Sequence, residues 1–362
     1  MLFAISLVFL APDVCHTSSW DFSKCNVSDD MTIWKFAIWR NRVFFAVPRW
    51  SDNSHCHPTL LEAPWYPDHP PEFLLLLPHV YRSTVFAYPS REIQTSSKLC
   101  KNLISVVGVD IDTRGRLWVL DSPEKTRCPA KIVLFDLRKN EEICRDNLLG
   151  ISKEGLKNLL IDPVVGPRGH RAYIGDPGDN SLLIYNIDHM GLRTWWKTEL
   201  QLPRDHPRII STDLAICRNH RLFITGANSL DLFSVNLEVL RNQDSQALAP
   251  PQTTNTTYHG IKMGVSSGLL CDSKGGLHYF LVTEHASVRW DTKRHLKAGS
   301  HAVLLQSEQA LSLTDYRMDV QRNVWGLVNA RHPYLGEYGN RRATGKLSDR
   351  VVRVSKYNLF VP

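Results

Sequence analysis

Charge is scarce in this chain of 362 residues, and so are long apolar runs. Only 22% of its residues are charged, a composition that does not suit extended disordered tails. No block of one sign occurs. The densest basic places are Arg40-Asn41-Arg42, Lys293-Arg294 and Arg341-Arg342, and no nucleic-acid-binding signature accompanies them. The net charge of +7 therefore reads as a solvated cationic surface, with at most weak attraction to acidic matrix or membrane headgroups. Met1–Ala11 is too short to span a bilayer, and no other stretch is long and apolar enough to cross one as a helix, since Phe73–Leu77 is closed by Pro78. No Cys-x-x-Cys pair exists among the eight cysteines, which removes the usual zinc-ligand spacing. No metal and no cofactor are expected.

What is present begins with the apolar segment Met1–Ala11, which has the length of a signal-peptide core. Residues 1–18 are expected to be a leader and residues 19–362 a single domain. A secreted, extracellular protein follows from that, without membrane insertion. Sequons at Asn26 and Asn255 suit glycosylation in such a protein, the second in a polar, Pro-bounded loop. The cysteines stand at 15, 25, 56, 100, 128, 144, 217 and 271. Their spread suits a few disulfides bracing a larger core, and spacing alone leaves the pairing open. If Cys15 leaves with the leader, the remaining number is odd.

An apolar hexad recurs along the chain. Its copies are RVFFAV from Arg42, RLWVLD from Arg116, RAYIGD from Arg171, RLFITG from Arg221, GLHYFL from Gly276 and NVWGLV from Asn323. The starts are 47 to 74 residues apart, a period that points to propeller blades rather than to shorter helical repeats. Four copies follow a turn containing or preceded by an acidic residue, such as Asp112-Thr-Arg-Gly115 and Asp272-Ser-Lys-Gly275. A further strand follows, as in Lys131–Asp136, Ser181–Asn186 and Asp231–Asn236. Each unit is a meander. Six meanders protect their edges and bury their apolar faces only if the ring closes. The expected fold is all-β, a six-bladed β-propeller, with two β-sandwich domains as the competing architecture. The Pro-rich insert Pro64–Pro71 reads as a surface loop in the longest interval.

Several of these segments resemble one known family. Phe44–Trp50 (FFAVPRW) looks like the F-x-x-x-P-R-W element of the Yellow / major royal jelly proteins, and Pro58-Thr-Leu60 follows it. Tyr88-Pro-Ser90, Ser105–Ser122 (SVVGVDIDTRGRLWVLDS), Cys128–Leu137 and Ala172–Asp176 resemble further elements in the right order. There are departures. Arg114 stands where many members carry Cys, Gly108 stands where the family element has Arg, and Arg289-Trp290-Asp291 replaces Cys-Trp-Asn. The last-blade element is reduced to its Trp325 and Asn329. The resemblance implies a Cys100–Cys128 disulfide. It also implies a role linked to melanin and cuticle pigmentation, through binding of a biogenic amine in the channel or through dopachrome conversion. Association with cuticle or extracellular matrix, and a structural or nutritive role without catalysis, are further family possibilities.

Counting back eight residues from the hexads at 221 and 323 gives Asp213 and Asp315, each preceded by a threonine, Thr212 and Thr314. Both offsets lie at the start of an innermost strand, facing the axis, and Asn329 follows the sixth hexad. A carboxylate in a dry channel selects an ammonium ligand, and hydroxyls and amides suit catechol or indole groups. These five residues are the expected ligand site for a small aromatic amine or catechol-derived metabolite. The bland alternative is an Asp that caps turn backbone. Asp110, Asp213 and Asp315 together keep open a calcium-dependent lactonase-like hydrolase. Gly264-Val-Ser-Ser-Gly268 matches a nucleophile elbow but lacks the following helix. His55-Cys56-His57 has no third ligand nearby.

Overall fold

The computed structural model describes residues 17–18, 20–28, 31–50, 57–65, 83–94, 99–166, 168–202, 208–218, 220–227, 229–243, 252–307, 312–330 and 351–357. Most of the expected leader, His55-Cys56, Cys15, the Pro-rich insert beyond Trp65 and Arg341-Arg342 lie outside the described residues. Among the described residues no helix is long and apolar enough to cross a membrane.

The hexads are the second strands of six four-stranded sheets. Their inner partners are Lys35–Trp39, Val106–Ile111, Leu159–Ile161, Asp213–Cys217, Ser266–Cys271 and Ser312–Met318. Each inner strand pairs antiparallel with its hexad. The alternation of the hexads sends one set of side chains to each sheet face, and both faces are buried. Six hydrophobic clusters result, one between each pair of neighbouring blades. Phe44 and Leu117 meet between blades one and two, Trp118 and Tyr185 between two and three, and Tyr173 and Phe233 between three and four. Phe223 meets Trp290 between four and five, Phe280 meets Tyr316 between five and six, and Trp65 meets Trp325 between one and six. The sixth cluster closes the circle, so the fold is a six-bladed propeller and not two sandwiches.

Backbone pairing also closes the ring. Val351–Ser355 is the third strand of blade six, and its outer neighbour is Thr17–Ser18 from the start of the chain. The closing pair thus falls at the last two positions of the expected leader.

One feature departs from expectation. Asn255 lies in a strand, Gln252–Ile261, and not in a loop. This Thr-rich run pairs in parallel with Thr198–Gln201 of blade three, which joins blades three and four into one eight-stranded sheet. Asn255 and Asn26 are both exposed. A second disulfide, Cys217–Cys271, joins Cys100–Cys128. It ties the inner strand of blade four to that of blade five. Cys25 and Cys144 are free thiols.

Candidate functional site

Strand register defines one level of the axis. The residues opposite the fifth hexad position are Lys35, Gly108, Asp213, Ser267 and Asp315. Three of these are charged, and they converge. Lys35 Nζ lies 3.4 Å from Asp213 Oδ1 and 3.5 Å from Asp315 Oδ1, with all three side chains almost fully buried. The structure therefore supplies an ammonium of its own between the two carboxylates. Lys35 also approaches the Thr314 carbonyl at 3.4 Å, and its charge sits 4.8 Å from the Trp34 ring centre.

The other expected residues hold the ring together. Asn329 Oδ1 accepts from Ile33 N at 2.9 Å, and its Nδ2 donates to Ile33 O and Thr314 Oγ1. Thr314 Oγ1 in turn donates to Ile33 O. Asp315 Oδ2 accepts from Phe36 N at 3.1 Å, and Thr212 Oγ1 accepts from Ala227 N at 3.0 Å. Thr314, Asp315 and Asn329 thus bind blade one to blade six. Thr212 caps the end of its own blade.

Asp110 does not join this level. It lies opposite the third hexad position, as does Arg317. Its two oxygens accept from Ile111 N and Ile161 N. Burial pushes its carboxyl above the usual range, against the pull of Arg317. Arg317 donates to the carbonyls of Phe36 and Val109 and lies 3.5 Å from Asp315. A calcium ion needs several oxygens around one point. Here the point between Asp213 and Asp315 is taken by Lys35, and Asp110 is one level away.

Lys262, from the connection between blades four and five, completes the cluster. Its Nζ donates to Thr225 Oγ1 at 2.7 Å and to Ser266 Oγ at 2.5 Å. Burial pushes this amine down to about 7, partly offset by Asp213 and Asp231. Asp213 is shifted up, first by burial, against the opposing pull of Lys35 and Lys262. Lys35 and Arg317 thus face the carboxylates of Asp213 and Asp315, with Lys262 held nearby by two hydroxyls. Ser266 itself begins an inner strand, with no helix after it, so the Gly-x-Ser-x-Gly match is the start of a blade.

Not every polar atom here is satisfied. Among the described residues Asp213 Oδ2, Ser211 Oγ and Ser312 Oγ are buried without a hydrogen-bond partner. All three stand at or just before the starts of inner strands, at one end of the ring. At that end Trp50, half-buried, packs edge-on against Trp34 at 5.3 Å between ring centres. Gly175 allows close packing there, because a Cβ on it would lie 1.8 Å from Ser211 O.

A family model described as "Major royal jelly protein" matches residues 104–341. The chain belongs to the Yellow / major royal jelly protein family. Major royal jelly protein 9 of Apis mellifera is 25% identical over 236 residues, covering 59% of this chain and 54% of that protein. Protein yellow of Drosophila melanogaster is 21% identical over 336 residues, covering 82% and 58%. Dopaminechrome tautomerase of Drosophila melanogaster is 26% identical over 170 residues, covering 44% and 34%. The chain spans little more than half the length of the first two relatives. In this chain Gly108 has a physical context. A Cβ there would lie 2.9 Å from Leu159 N, so blade three closes over the position where the family element carries Arg.

Proposed function

We propose that this is a secreted member of the family that binds a small aromatic amine or catechol-derived metabolite at the axial end beside Asp213. The observation that carries the reading is the unpartnered, buried Asp213 Oδ2. A buried acceptor without a donor is unfavourable, and a ligand N–H or O–H relieves it. Because Lys35 already lies between Asp213 and Asp315, a catechol hydroxyl serves as well as an ammonium. Trp50 supports the aromatic part of the reading. Two disulfides and exposed sequon asparagines support secretion. The family supports a place in melanin or cuticle chemistry.

Calorimetry with dopamine and serotonin tests this. Dopamine binding is expected, weakened about tenfold or more in Asp213→Asn, the scale of one hydrogen bond to a charged group. Melting of the variant checks that it remains folded. No heat with either amine rejects the reading and favours a structural or nutritive role.

A second reading, dopachrome conversion, is favoured by Lys262. A buried amine pushed down to about 7 is partly unprotonated at neutral pH and able to act as a general base. The dopaminechrome tautomerase relative supports the same chemistry. Loss of dopachrome absorbance above the buffer rate is then expected to rise with pH through about 7, as the amine loses its proton. Lys262→Met abolishes that rising limb. A rate equal to buffer at every pH removes the reading.

A further inference from the structure

The end of the ring opposite the Asp213 level carries the turns between the inner strands and the hexads. Contacts between neighbours show that these six turns share one face. Gly115 of blade two lies against Trp39 of blade one, and Asp112 of blade two lies 3.8 Å from His170 of blade three. Asp162 of blade three pairs with Arg241 of blade four, and the Cys217–Cys271 bridge ties blade four to blade five. Lys274 of blade five and Arg322 of blade six both lie over the Tyr357 ring.

Each turn presents one exposed basic residue: Arg40, Arg114, Arg168, Arg218, Lys274 and Arg322. The acids of the same turns point the other way. Asp112 binds Arg116 and the Trp118 indole, Asp272 binds Arg289 and His278, and Asp319 binds Asn323 and the Trp325 indole. Positive charge is thereby sorted outward on this face. The face also exposes apolar side chains. Met190 is 92% exposed, Val320 78% and Leu192 62%, with Met190 and Leu192 in the outer turn of blade three, whose Asn186 donates to Arg168 O.

We propose that this face docks on an anionic phospholipid surface. Phospholipid headgroups meet the cations, and the acyl boundary takes up the exposed apolar tips. A linear acidic polysaccharide matches the charges but offers nothing to bury Met190, Leu192 and Val320.

The test is co-sedimentation of the full chain with phosphatidylcholine vesicles, with and without phosphatidylserine. Binding is expected only with phosphatidylserine, and it weakens as salt rises. Arg114→Gln with Arg218→Gln is expected to weaken it about 25-fold, fivefold for each charge removed. Met190→Ser with Val320→Ser is expected to weaken it at every salt concentration. All four positions are exposed, and melting of each variant checks the fold. Equal binding to neutral vesicles overturns the proposal, as does retention on heparin without vesicle binding, which assigns the face to acidic polysaccharide. The proposal stands apart from the amine site, because the two tests use different faces and different probes.

Discussion

Replacing Lys35 with Met is expected to destabilise the protein by about 3–5 kcal/mol, the scale for removing one partner of a buried ion pair. Lys35 is the ammonium between Asp213 and Asp315, and all three are out of solvent. Without it, two carboxylates face each other in a dry axis. At roughly 2 °C per kcal/mol for a chain of this size, melting falls by roughly 6–10 °C. The effect is pH-dependent, and its sign is fixed. Asp213 already has its carboxyl raised by burial. A group raised in the folded state contributes stability below its ordinary value, and that contribution is lost as pH rises through the folded value. Loss of Lys35 raises the Asp213 carboxyl further, so the gap between variant and parent is widest near neutrality and narrows toward about pH 4. Adding Asp213→Asn and Asp315→Asn to Lys35→Met is expected to recover most of the loss, because the charges go together. A variant that melts like its parent at neutral pH contradicts the role given to Lys35.

The Cys217–Cys271 bridge carries the second large effect. It closes a separation of 54 residues. Constraining a loop of that length in the unfolded chain is worth about 4 kcal/mol in the chain-entropy view. The bridge joins the inner strands of two neighbouring blades, where Phe223 and Trp290 fill the space between the sheets. Cys217→Ala with Cys271→Ala is expected to lower melting by roughly 8 °C, measured by calorimetry under non-reducing conditions. A shift within about 1 °C, or peptide mapping that finds both thiols free in the parent, contradicts the assignment.

Much of this architecture was legible in the sequence because the blade is a local unit. The six hexads, their turns and the strands that follow are read from short-range alternation, and the structure places every one as a second strand. The offset of eight residues also put Asp213 and Asp315 on inner strands. The same offset missed Lys35, which stands seven residues before Arg42, because the first turn has only Arg40 and Asn41 between its strands. Lys262 was missed for another reason. It lies on a connection, and its approach to Thr225 and Ser266 depends on how two blades pack. Cys217–Cys271 and the pairing of Asn255 with Gln201 are likewise contacts between blades, invisible to a periodic reading. Thr314 and Asn329 were found as polar residues near the axis, but that they hold Ile33 required the ring to be closed.

The axis is therefore a charged core in which Asp213 Oδ2 is, among the described residues, a buried carboxylate oxygen without a hydrogen-bond donor. Lys35 lies between Asp213 and Asp315, and the Asp213 oxygen that remains gives a ligand its point of attachment. A crystal structure of the protein grown with dopamine tests this most directly. The account predicts six blades, Lys35 Nζ between Asp213 and Asp315, and a donor atom of dopamine on Asp213 Oδ2. A ring of five or seven blades, or Lys35 turned away from both carboxylates, contradicts it.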